Sequence, residues 1–180
     1  MELDLTLKER LFLINQYSIL SELTEDEYDK KNYETLIAIL ERGYTRYYSK
    51  AISAIYEKEL SDKECKAVVD ILELYSDLYF YWSKDETIQK DIDKSEVLFR
   101  GFDGNENAEY LGLYKFLLND LKRFSDIKDL HEQGLIEEYN SHGFGPDLFE
   151  LKNMVSRWKK IKSKDDFEKL TLSDFNYILN

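Results

Sequence analysis

Apolar positions recur with the 3.6-residue period of an α-helix along most of the chain, and this pattern predicts an all-α fold. The strongest stripe is Tyr110, Tyr114, Leu117, Leu121 and Phe124, at steps of four, three, four and three, in a helix expected over 106–124. Before it lies Phe99-Arg100-Gly101-Phe102-Asp103-Gly104-Asn105, which reads as a tight corner. Its glycines permit positive φ, and Asp103 with Glu106 is placed to form a capping box. Gly112, inside the helix, is expected to mark close packing by a neighbouring helix backbone.

The same periodicity predicts helices over about 7–23, 25–42, 48–59 and 62–82. Three of their starts match the capping-box pattern: Thr6 with Glu9, Thr24 with Glu27 and Ser61 with Glu64. The first helix is apolar around most of its circumference, from Leu11 to Leu20, which marks either a central element or one shared with a partner subunit. Gly43 stands where the second helix needs a left-handed terminal residue. The 83–94 stretch is polar and reads as a loop or a poorly packed helical turn, followed by a briefly extended 96–99. A short helix is expected within 125–140. Pro146 suits the first position of a helix with the stripe Leu148, Leu151, Val155, Trp158 and Ile161. Thr171 or Ser173 caps a terminal helix through Phe175, Ile178 and Leu179. The expectation is a single-domain irregular bundle over 1–180, with about seven helices and short connections.

One proline and seven glycines in 180 residues leave too little punctuation for a strand-and-turn architecture. The single cysteine, Cys65, excludes an intrachain disulfide and fits a reducing cytoplasm. A basic, apolar leader is missing at the N-terminus, and no apolar run approaches the roughly 20 residues of a membrane span. With 37 acidic against 25 basic residues, the net charge of −12 repels polyphosphate, so nucleic acid is not an expected partner. The basic cluster from Arg157 to Lys164 is the one local exception.

Several stretches, in order, resemble the bacterial YfbU family: Asn15-Gln16-Tyr17, Ile39-Leu40-Glu41-Arg42-Gly43-Tyr44, Phe99-x-Gly-Phe-Asp, Tyr110-Leu111-Gly112, Asn140-Ser141-His142, and Met154 followed by Trp158. The resemblance spans nearly the whole chain. It implies an all-helical cytosolic domain capable of oligomerising, in a family loosely associated with bacterial cell death and without an assigned activity. The chain departs from the family pattern in a longer polar insert before Asn140 and in Leu151, where relatives often carry an aromatic residue.

Catalytic motifs are missing: no phosphate-binding glycine loop, no nucleophile elbow, and no His pair at zinc-ligand spacing, since His131 and His142 are eleven residues apart. No metal or cofactor is expected, and the reading leans away from an enzyme. The leading expectation is a protein-interaction or regulatory module acting as a homo-oligomer. The tyrosines Tyr44, Tyr47 and Tyr48 and the aromatic run 79–82 are candidates for its surface. The rival is an enzyme or small-ligand-binding protein with a polar pocket at the two glycine corners. Its candidate ligand-binding residues are Glu41, Arg42, Tyr44, Arg100, Asp103 and His142, each of which also has a plain role in helix capping or surface pairing.

Overall fold

A computed structural model describes residues 4–51 and 59–180. The described residues are all-helical, without a strand, and contain nine α-helices where about seven were expected. The chain packs as two compact units, Met1–Glu59 and Leu60–Asn180.

The first unit is a helical hairpin of α1 (Leu7–Leu23) and α2 (Glu27–Arg42), followed by α3 (Tyr48–Ala51). The Thr6–Glu9 capping box forms as expected, with Thr6 Oγ1 accepting from the Glu9 amide. The second box does not form. Asp26 caps α2 instead, its carboxylate accepting from the Tyr28 and Asp29 amides at 2.8 and 3.1 Å, because an ionised acceptor nearer the helix start displaces Thr24. Leu36, Ile39, Leu40, Tyr48 and Ala51 are buried, with Leu5, Leu13, Ile14 and Tyr17 packed against them. Gly43 ends α2 in the left-handed region at φ 70°. The expected continuation of α3 through Ile52 and Ile55 lies outside the described residues.

The second unit is built on α4 (Asp62–Lys84), whose Ser61–Glu64 capping box is present. Its buried positions run round most of the circumference, from Val68 through Ile71, Leu72, Leu74 and Tyr75 to Leu78, so it is the axis of this unit. Around it stand α5 (Glu86–Asp91), α6 (Ala108–Asn119), α7 (Ser125–Glu132), α8 (Leu148–Lys162) and α9 (Leu172–Leu179). The polar 83–94 stretch thus contains a helix. Asp85 caps α5 through the Thr87 and Ile88 amides, and one buried residue, Ile88, anchors it, which is too little for a periodic signal.

Three local expectations are corrected. The strongest stripe belongs to a shorter helix: Tyr110, Tyr114 and Leu117 are buried on α6, but the helix stops at Asn119 and Leu121 is 52% exposed. Asp103 does not cap α6, because its carboxylate is used in a local turn, accepting from the Asn105 amide at 2.9 Å. At α8 the N-cap is Asp147, which accepts from the Glu150 amide at 2.8 Å, and this leaves Pro146 one position before the cap.

A polar strap joins α4 to α8. Asp70 is only 7% exposed and pairs with Lys66 and Lys159. Asp77 accepts from Trp158 Nε1 at 3.0 Å and pairs with Lys162 at 2.7 Å. With Arg157 on Glu150, three cations of the 157–164 cluster are neutralised locally, which weakens any positive face there.

Candidate functional site

The corner at Gly101 is held by a second loop more than 35 residues further along. Gly101 has φ 94°, and a Cβ placed there would lie 1.8 Å from the Tyr139 carbonyl oxygen, so only glycine lets the two backbones meet. Phe102 and Asn140 form an isolated parallel bridge, and the Ser141 amide donates to the Phe102 carbonyl at 3.1 Å. The Asn140 side-chain oxygen accepts from the Gly104 amide at 2.9 Å and the His142 amide at 3.0 Å. One amide group thereby fastens both turns. Beneath them Phe99, Phe102 and Tyr114 pack edge to face, with Tyr75 tilted against Phe99, so the corner rests on a rigid aromatic floor.

Two cavities flank this corner and share Ser95, Phe99, Arg100 and Phe144 on their walls. The first, about 370 Å³, brings Arg100 together with Asn140, Ser141 and His142. His142 is in the left-handed region at φ 50°, and its Nε2 lies 2.9 Å from Glu138. Both partners of that pair are exposed, so solvent screens it. The second cavity, about 350 Å³, is lined by Tyr75, Arg100, Leu151, Met154 and Leu179 among others. Asp103 faces a smaller recess of about 180 Å³ with Glu106 and Gly143.

Arg100 and His142 therefore share a cavity, and Asp103 stands at a neighbouring one. Glu41, Arg42 and Tyr44 belong to the first unit, where all three are exposed at the end of α2. Their corner is organised by a residue with no sequence signal. Arg10 of α1 donates from Nε to the Leu40 carbonyl at 2.7 Å and from Nη2 to the Glu41 carbonyl at 2.9 Å, satisfying terminal carbonyls of α2. His131 is equally committed. Its Nε2 lies 2.8 Å from the Tyr114 hydroxyl, its ring stacks on Tyr139 at 4.1 Å, and burial lowers its pKa. Among the described residues no three His, Cys, Asp or Glu side chains converge as metal ligands would, and no helix is long and apolar enough to cross a membrane.

Residues 3–180 match the YfbU domain. The chain belongs to the YfbU family. A relative of this YfbU chain, the UPF0304 protein MJECS11 of Methanocaldococcus jannaschii, is 33% identical over 168 residues, which is 92% of this chain and 95% of the relative. The family thus extends to an archaeon. Two stretches that carry the family resemblance, Phe99 to Asp103 and Asn140 to His142, are the two loops fastened at the Gly101 corner. A third, Glu41-Arg42-Gly43, is the end of α2 that Arg10 caps. In this YfbU domain these stretches hold backbone segments together first, and the cavities are what that construction leaves beside it.

Proposed function

We propose that this YfbU protein is a non-enzymatic interaction module that works as a homo-oligomer, with α1 as the seam between copies. The observation that carries this reading is the outward face of α1. Phe12, Ile19 and Leu23 are 58%, 59% and 74% exposed, while Leu13, Ile14 and Tyr17 use the opposite side for the unit's own core. Phe12, Gln16, Ile19 and Leu23 stand at steps of four, three and four, the spacing of a two-helix seam, with Gln16 as a polar position that fixes register. Leu7, Leu11 and Leu20 widen the apolar surface.

A second copy of α1 is the occupant that this spacing fits, because a self-matching helical seam gives a closed twofold contact. Seven-residue spacing on a free peptide would serve as well, but the polar Gln16 finds its partner most simply in another Gln16. The exposed side chains offer on the order of 600 Å² per copy, so a pair buries roughly 1,200 Å², the low end of a stable interface. Multi-angle light scattering at micromolar concentration is expected to give a multiple of the 21.5 kDa chain mass. The paired substitution Ile19→Glu and Leu23→Lys should return the protein to 21.5 kDa. A wild-type protein at chain mass under those conditions would remove the proposal.

A further inference from the structure

The second cavity beside Gly101 has walls that the oligomer reading leaves unused. It lies wholly within the Leu60–Asn180 unit and holds about 350 Å³, enough for a one-ring metabolite. Its body is apolar: Phe99, Leu151 and Met154 are buried in the core, and the exposed ring of Phe144 stands at the rim. Two polar groups on this wall have no hydrogen-bond or ion-pair partner among the described residues. Tyr75 is 4% exposed, yet no hydrogen bond reaches its hydroxyl among the described residues. Arg100 is the second. Its stem runs past Gly145, whose Cβ position is 3.5 Å from Arg100 Cδ, and its guanidinium forms no ion pair among the described residues, although its charge is felt by Asp93.

The acidic groups of the same wall are already occupied. Glu96 accepts from the Asp93 amide at 3.0 Å, and Glu150 is paired with Arg157. They disfavour a doubly charged ligand by repulsion, while Arg100, the cation on this wall, is in no ion pair among the described residues and feels only the more distant charge of Asp93. A guanidinium fork matches a carboxylate with two parallel hydrogen bonds. We propose that this cavity binds a small monocarboxylate with an aromatic or branched apolar body, its carboxylate held by Arg100 and the Tyr75 hydroxyl and its body against Phe99, Leu151 and Met154. The Arg100 ion pair supplies most of the affinity and the preference over a neutral head group, and Tyr75 adds one hydrogen bond.

The test is an amide chemical-shift titration of the full chain with benzoate, its neutral counterpart benzyl alcohol and the dianion phenyl phosphate. Benzoate is expected to move the Arg100, Gly101, Gly145 and Leu151 amides saturably in the millimolar range or below, with the other two probes about tenfold weaker. Arg100→Gln changes an exposed side chain and leaves the fold intact, and it should weaken benzoate about tenfold. Tyr75→Phe, which keeps the ring in the core, should weaken it about threefold to tenfold. Equal response to benzyl alcohol, tighter binding of phenyl phosphate, benzoate binding that survives Arg100→Gln, or no saturable shift with benzoate would each overturn the assignment.

Discussion

Gly101→Ala offers the sharpest test of how the corner is built. The new methyl group meets the Tyr139 carbonyl oxygen at 1.8 Å, and the atom in the way is backbone, which cannot rotate aside. Separating the two chains by more than an ångström breaks the hydrogen bond from Ser141 to Phe102 and pulls the Asn140 amide from Gly104. Each lost bond is worth about 0.5–1.5 kcal/mol net, and alanine at positive φ adds about 1–2 kcal/mol. The total, about 3–5 kcal/mol with some loosening of the Phe102 packing, would lower the melting temperature by about 10–15 °C. Gly134→Ala is the control, because Gly134 has φ 70° but no atom within 4 Å of its Cβ position. It should carry the dihedral cost alone, about 1 kcal/mol and a few degrees. Both tryptophans, Trp82 and Trp158, lie in the Leu60–Asn180 unit, so their fluorescence reports the relevant transition. Equal melting of the two variants would refute the claim that contact with residue 139, and not φ, makes glycine obligatory at 101.

Two further outcomes follow from the same geometry. Ser61→Ala removes the acceptor for the Glu64 amide and the hydroxyl that donates to the Glu64 carboxylate, leaves the bond from the residue 61 amide to that carboxylate in place, and should cost about 1 kcal/mol in urea denaturation followed by tryptophan fluorescence. For His131, burial holds the folded pKa below the ordinary 6.5, so the unfolded chain takes up its proton first. The stability tied to this neutral imidazole is present above pH 6.5 and is lost as pH falls from there through the lower folded value. The urea midpoint should therefore drop between neutral and mildly acidic pH, and His131→Gln should flatten that slope. An unchanged slope in the variant would show that His131 is not the group responsible.

Elements whose signal is local were legible in the chain. The starts at Thr6 and Ser61 follow from side chain and backbone within one turn, and Leu151, Val155, Trp158 and Ile161 follow from a single helix face. Misreadings arose where one residue type serves two local motifs. Asp103 offers the same carboxylate to a turn as to a helix start, and spacing alone does not separate the two. The strongest stripe continued past Asn119 in sequence, but the backbone turns there and takes positive φ at Lys122 and Phe124, so Leu121 leaves the face it was expected to share. Arg100 and His142 are legible as polar residues beside glycines, and they do share a cavity. Tyr75 is not, because on its helix it is one more buried aromatic. Its importance comes from a wall formed by residues 20 or more positions away. Arg10 was invisible for the same reason: its partners are carbonyls, which every residue possesses.

The doubly bonded amide of Asn140 also governs how this protein ages. Asparagine followed by serine is prone to spontaneous deamidation, in which the next residue's nitrogen attacks the side-chain carbonyl to form a five-membered imide. Here that nitrogen, on Ser141, is already donating to Phe102, and the carbonyl it would attack is fixed by Gly104 and His142. Ring closure must wait for the loops to part. The lifetime of this asparagine is thus set by how often the corner opens, and the summed fraction of aspartate and isoaspartate at position 140 in stored protein is a clock for that opening.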